Sequence, residues 1–449
     1  MKTKVKQILS NPLLKKGMGD SSYYLIANVG SKAVGLLIIP ILARSVSIEE
    51  FANYDLFLLI SAFLQIFVIL GVDSGITILM AESKDDDAKL SFFYVTTLLV
   101  SMSLLLILSL IFSAIFMFID ELFSLHQDMW ILIGLYILFT VINYHTFNFL
   151  RWRTEAKKAA FINLFAYLIG ILIGLYCLYL DKTIESYLTG LIIGNFLGAL
   201  VSLYISREYI KRFRILDDSK ALLTDLFKLS LPFVPNYIGN NLMQMADRMI
   251  ILMLFGKHEL GLYAIIMRLA AIPQFIAGTI TGGFLPVMYN NYKTDHGKKL
   301  IRNFFNAYFV LIPVFFMGAY LLSDILVELF AGKEYAGIAY LFPMALVSIL
   351  FVNGTQGAGF GYTIKRKTHY IMYITFLSVG INFLLSMALG YWVGLAGVIL
   401  GTLIAGIFRV YAHIVYSEKL YHFDYSFKLL SIVSIITFTL SYYSFFTHP

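Results

Sequence analysis

Thirteen long apolar runs, separated by short polar segments, leave this chain few ways to fold. They cover 22–43, 54–80, 91–118, 130–150, 160–180, 186–206, 228–256, 261–289, 302–324, 338–360, 369–390, 393–416 and 428–446. A helix needs roughly 20 mostly apolar residues to cross a bilayer. Inside lipid, backbone polar groups must be satisfied within the protein, and a helix does this residue by residue. Charged residues make up only 14% of the 449 positions and apolar residues 59%. Soluble domains carry about 25% charged residues, so the bilayer is the expected solvent. The basic N-terminus leads into the run from Ser22 to Ala43, which holds Lys32 at its middle and lacks a small-residue cleavage motif. It reads as a retained span rather than a signal peptide.

The loops then set orientation. Twenty-six of the 34 basic residues fall in one set of alternating loops, and only Arg44, Lys182, Lys257 and Lys333 fall in the other. Basic loops stay on the cytoplasmic side, so the N-terminus is expected there. The net charge of +7 reads as contact with anionic membrane lipids, with no nucleic-acid partner.

The chain also repeats itself. E-F-A-N-Y (50–54) returns as E-L-G-L-Y (259–263), Gln65 as Gln274, G-L-I-I-G (190–194) as G-V-I-L-G (397–401), and Tyr204 as Tyr411. Six spans per copy is an even number, so the copies enter the membrane the same way up. The expected fold is an all-α membrane protein with two pseudo-symmetric six-helix lobes around a central cavity, plus an extra C-terminal helix. The boundaries read 1–206 for the N-terminal lobe, 207–227 for a cytoplasmic linker, 228–416 for the C-terminal lobe and 417–449 for the extension.

Ionisable groups inside spans cost about 2.5–3.5 kcal/mol each and default to function. Lys32 lies midway along the first span, with Asn28 one turn before it on the same face. In the seventh span Asn236, Asn240, Gln244 and Asp247 follow Pro232 and Pro235. They fall within an arc of about 80° at 100° per residue, a polar stripe that suits a cavity lining or interhelical hydrogen bonds. Arg248 and Arg268 either reach the outer interface or face the cavity. Asp73 reads equally as a cation-coupling carboxylate or as the partner of Lys32. Arg409, about two turns from the end of its span, reads as a snorkelling residue. Counted this way, four cations (Lys32, Arg248, Arg268, Arg409) stand against two acids (Asp73, Asp247), a balance that favours an anionic ligand.

Other motifs are weaker. G-A-G-F-G (357–361) follows an apolar span without a surrounding βαβ unit, and no Walker sequence is present. The eight histidines are scattered without metal spacing, and Cys177 is alone; no cofactor and no metal site is expected. The G-x-x-x-G spacings at 170–174, 190–194, 194–198 and 397–401 suit close helix packing. The longest outward loops, near 119–129 and 325–337, are short for a membrane enzyme, so no catalytic residues are assigned.

The runs L-L-I-I-P-I-L-A-R-S-V-S-I-E-E-F-A-N-Y (36–54) and L-S-L-P-F-V-P-N-Y-I-G-N-N-L-M-Q-M-A-D-R-M-I-I (229–251), with G-K-H-E-L-G-L-Y (256–263), resemble the polysaccharide transporter family. That family includes O-antigen and capsule flippases and belongs with the multidrug and lipid II exporters in one superfamily. The likeness extends through about residue 416. It implies movement of undecaprenyl-diphosphate-linked oligosaccharide from the inner to the outer leaflet of the bacterial inner membrane, with a proton or sodium gradient as the drive and glycan polymerase machinery as a partner. It further implies that Lys32, Arg248 and Arg268 hold the diphosphate, and that Asp247 stands where the family often carries an acid. The alternatives are a drug or cation antiporter, a lipid II flippase and a membrane glycan polymerase. Ala52 departs from the glycine usual in the first motif, and a thirteenth span exceeds the usual twelve.

Overall fold

The computed structural model describes residues 34–83, 86–123, 127–153, 155–365 and 369–447, with Gly30, Leu125 and Lys367. Among the described residues every element is helical. Among these described residues, eleven helices are long and apolar enough to cross a membrane, including the C-terminal Phe427–Phe445. This is a multi-pass, all-α membrane protein.

The helices are α1 (Val34–Ser45), α2 (Ile48–Ile69), α3 (Val72–Glu82), α4 (Asp87–Phe123), α5 (Gln127–Trp152), α6 (Ala156–Asp181), α7 (Ile184–Lys211) and α8 (Ser219–Ser230). They continue as α9 (Val234–Phe255), α10 (Lys257–Ala270), α11 (Ile272–Asn291), α12 (Asp295–Phe330), α13 (Phe342–Asn353), the short α14 (Thr355–Ala358) and α15 (Phe360–Ile364), α16 (His369–Val393), α17 (Leu395–Leu420) and α18 (Phe427–Thr447).

Three of the expected spans are broken. The second stops at Leu70 and Gly71, which both take left-handed φ, and resumes as α3. The carbonyl of Ser230 on α8 would clash with any Cβ at Gly71. The eighth divides at Ala271, just before Pro273, whose ring cannot continue the hydrogen-bond ladder. The tenth begins as a 3-10 stretch, Lys333–Leu341, and later shortens into α14 and α15. The two prolines of the seventh do loosen its start, where Leu231–Phe233 forms a 3-10 turn.

The chain forms two compact units. One holds Leu56–Tyr237 with the described part of Met1–Ile38, and the other holds Ile39–Asp55 and Ile238–Pro449. In the first, Ile76, Phe93, Tyr94, Phe149, Ile162 and Leu226 share one buried cluster. Helix α8, part of which the sequence suggests as linker, packs Leu226 and Ser230 inward. Polar groups here are mostly neutral and matched. Tyr94 bonds Thr146 and Ser206 at 2.8 and 2.7 Å, and Ser202 donates to Asn143 at 2.8 Å. In the second unit, Arg44 at the end of α1 caps the last turn of α12, donating to the carbonyls of Glu328 and Leu329. That places a cation where the helix carries its negative end.

The glycine spacings do what their size allows. A Cβ at Gly194 would overlap Gly170 on α6, and one at Gly397 would overlap the carbonyl of Leu389 on α16. The pairs α6–α7 and α16–α17 are therefore crossed at backbone contact, the arrangement that small residues permit in lipid.

Candidate functional site

Among the described residues, Asp55, Asp247, Arg248, Arg268 and Arg409 lie in the second unit and Asp73 in the first. Helix α9 carries Asp247 and Arg248 in succession, about 100° apart around its axis, so the two face different neighbours.

Arg248 turns to Asp55 on α2, its Nε donating to Oδ2 at 2.8 Å. Arg268, in the last turn of α10, donates from Nη2 to the other carboxylate oxygen at 2.9 Å. One acid thus holds two guanidinium groups, with side-chain exposures of 5% for Asp55, 11% for Arg248 and 21% for Arg268. Aromatic faces complete the cluster. Arg268 lies 4.5 Å from the Tyr54 ring centroid and Arg248 5.5 Å from that of Tyr263, where the ring quadrupole favours a cation. The cluster keeps one positive charge in excess. Asp55 changes the balance of intramembrane charges from four against two to four against three. Asp55 is easy to pass over because it sits at the edge of an apolar run, and its partners lie 193 and 213 positions away.

Asp247 turns the other way, into the space between α9, α16 and α17, and is 2% exposed. Its Oδ2 accepts from Tyr263 and from Thr402, both at 2.8 Å. Ser386 Oγ lies 3.5 Å from Asp247 Oδ1, 3.0 Å from Asn382 Oδ1 and 3.1 Å from the Val398 carbonyl. Thr402 Oγ1 is also 3.1 Å from that carbonyl. Ser386 and Thr402 have one hydroxyl proton each to share among these acceptors. The pocket is rich in oxygen, poor in protons and built around a buried carboxylate whose hydrogen bonds all come from neutral hydroxyls. Such a set suits a hard cation, which takes oxygen ligands from carboxylates, amides and carbonyls. Close approach of α16 and α17 makes it possible, since a Cβ at Gly401 would lie 2.6 Å from the backbone nitrogen of Ser386.

Sequence reasoning finds Asp247 and overlooks Asn382, Ser386 and Thr402, because single polar residues in apolar spans read as packing. The signal is the series Thr375, Ser378, Asn382 and Ser386, all buried on one face of α16.

Arg409 does not snorkel. It is 6% exposed, and its Nη2 donates to Asn240 Oδ1 at 2.7 Å and to Thr375 Oγ1 at 3.2 Å. Asn240 and Asp247 thus turn into the second unit, whereas Gln244 is exposed, its carbonyl accepting from Arg248. Asn236 is half-buried. Asp73, in the first turn of α3, accepts from Tyr144 at 2.8 Å. Asn28 and Lys32 lie outside the described residues.

Comparison with known proteins gives the class and then the family. Over 95% of this chain and 97% of the other, the fold superposes with a TM-score of 0.71 on the lipid II flippase MurJ in an inward closed conformation, at 17% identity. An inward-facing multidrug resistance MATE transporter of the MOP superfamily aligns over 89% of this chain and 95% of its own, with a TM-score of 0.64 at 16% identity. The chain shares the fold of these two proteins. Residues 18–291 match the polysaccharide biosynthesis protein family, more than half of the sequence, and the chain belongs to that family. It is also 25% identical to the capsular polysaccharide biosynthesis protein CapF of Staphylococcus aureus, across 78% of this chain and 85% of that one.

Proposed function

We propose that this chain is a flippase carrying undecaprenyl-diphosphate-linked oligosaccharide, an O-antigen or capsule repeat unit, from the inner to the outer leaflet of a bacterial cytoplasmic membrane, with its N-terminus inside. The observation that carries this reading is the Asp55–Arg248–Arg268 cluster. Its one excess positive charge, on side chains that keep partial exposure, suits a diphosphate, and bidentate guanidinium donors match phosphate oxygens. The exposed Gln244, in the same unit, would offer a polar contact to sugar. A glycan polymerase is the expected recipient of the product.

The test is a vesicle assay with purified protein and a fluorescent lipid-diphosphate oligosaccharide, run beside lipid II and a cationic dye. The expected result is glycolipid movement that falls at least about tenfold in Arg268→Met, the order of a lost charge-assisted hydrogen bond. Movement of the dye without the glycolipid would instead support a drug antiporter, and movement of lipid II alone a peptidoglycan role.

For the driving ion, the pocket around Asp247 supports sodium as a co-transported substrate. Its oxygens would bind the ion, and Tyr263 would orient the carboxylate. A sodium chloride titration of thermal stability, with choline chloride as control, is expected to stabilise the wild type by mass action and to leave Asp247→Asn unaffected. A response to pH but not to sodium would assign the proton instead.

A further inference from the structure

Arg409 and Asp247 are both buried, carry opposite charges and make no ion pair with any described residue. They occupy the same three helices at corresponding heights. Arg409 on α17 meets Asn240 on α9 and Thr375 on α16. Thr402 on α17 meets Asp247 on α9 and Asn382 on α16. From one level to the next the step is seven residues on every helix: 409 to 402, 240 to 247, 375 to 382. Seven residues are close to two turns and about 10 Å of rise, so each helix returns nearly the same face to the seam.

Burial of a guanidinium without a carboxylate is costly. The Nε of Arg409 is also buried and lacks a hydrogen-bond partner, and Nη1 reaches only the Met243 sulfur at 3.7 Å. Its two good hydrogen bonds go to neutral groups. No carboxylate neutralises it at its own level, and the carboxylate of Asp247, which precedes Arg248 on α9, lies at the other level of the seam.

We propose that Arg409 is the internal counter-charge of the Asp247 pocket, set two turns away so that it opposes a bound cation without closing the site. This rests on the sodium reading of that pocket. With the ion absent, Arg409 balances Asp247 along the seam. With the ion present, the seam carries one positive charge more, which repels the cation and favours its release. At about 10 Å and an effective dielectric of about 20, the repulsion corresponds to roughly a tenfold weakening of ion binding.

The sign separates this from a merely structural role. If Arg409 only held the three helices in register, its loss would disturb the pocket and weaken sodium binding. As a counter-charge, its loss tightens binding. The experiment is a sodium chloride titration of the full-length protein in lipid nanodiscs, read by thermal stability against choline chloride. Arg409→Gln is expected to bind sodium roughly tenfold more tightly than wild type. Asn240→Asp, which sets a carboxylate beside the guanidinium, is expected to do the same, and Arg409→Lys to stay within about twofold of wild type. Should Arg409→Gln fail to fold, Asn240→Asp and Arg409→Lys decide the question. Sodium affinity that is unchanged or weakened in the foldable neutralising variants overturns the proposal. If Asp247→Asn responds to sodium as the wild type does, the pocket reading fails first and this inference with it. If Asp247→Asn is silent while the neutralising variants match wild type, the pocket stands and only the role of Arg409 falls.

Discussion

Two aspartates in this molecule each bind two arginines, and they differ in where they do it. In the first unit Asp87 receives Arg153 at 3.1 Å and Arg212 at 3.0 Å, with 52% of its side chain exposed. In the second, Asp55 receives Arg248 at 2.8 Å and Arg268 at 2.9 Å, with 5% exposed. The stoichiometry and the distances are nearly the same. At the exposed site water and salt compete with each contact, and an ion pair contributes little. At the buried site removal from water is costly for every member, so the loss of Asp55 leaves both arginines uncompensated. The difference marks the Asp55 cluster as one place where charge is retained against its cost.

The sharpest way to break the comparison is Asp55→Asn. Two arginines would then stay buried without a counter-charge, and the expected loss is about 3–5 kcal/mol, read as a fall in melting temperature and in folded yield from detergent. A loss below about 1 kcal/mol would mean that water reaches this cluster as freely as it reaches Asp87. The second unit would then no longer differ from the first.

Arg268→Met sharpens the comparison further. It leaves Asp55 and Arg248 as a balanced pair and also removes a guanidinium whose Nε is buried without a partner. Stability should change by no more than about 1 kcal/mol, and under the proposed function glycolipid transport should fall. That separation of folding from transport is what the excess positive charge predicts. If stability and transport fell together, Arg268 would be a structural member of the cluster.

Much of this architecture is legible in the sequence, and the limits are physical. Long apolar runs announce helices because lipid leaves no other solution, and the C-terminal run at 428–446 does form α18. The glycine repeats announce close crossings because only hydrogen fits where Gly194 faces Gly170. The break at Leu70 and Gly71 is hidden, since it depends on a carbonyl of Ser230 far along the chain. Asp55 is hidden for the same reason, its charge taking meaning only from arginines in α9 and α10. Arg409 misleads because distance from a helix end, which the sequence gives, says nothing about the direction of the side chain. Asp247 is found by its stripe, whereas the oxygens around it come from α16 and α17, where each is a lone polar residue among apolar ones.

The smallest effect is expected at the exposed site. Asp87→Asn frees Arg153 and Arg212, and Arg153 keeps other neighbours: it lies 3.9 Å from Glu155 and stacks over Tyr209. Lys89 still meets Asp218 at 3.5 Å, so the loops carrying these charges keep a second tie. The expected change is under about 1 kcal/mol, and it should shrink further in 1 M salt, where the Debye length is about 3 Å. Melting curves of wild type and variant at low and high salt measure this directly. The Asp55→Asn deficit, by contrast, should persist at high salt, because buried charges are screened much less. A deficit at Asp87 that rivalled it, or that salt left untouched, would show that side-chain exposure is a poor guide to what these two clusters contribute.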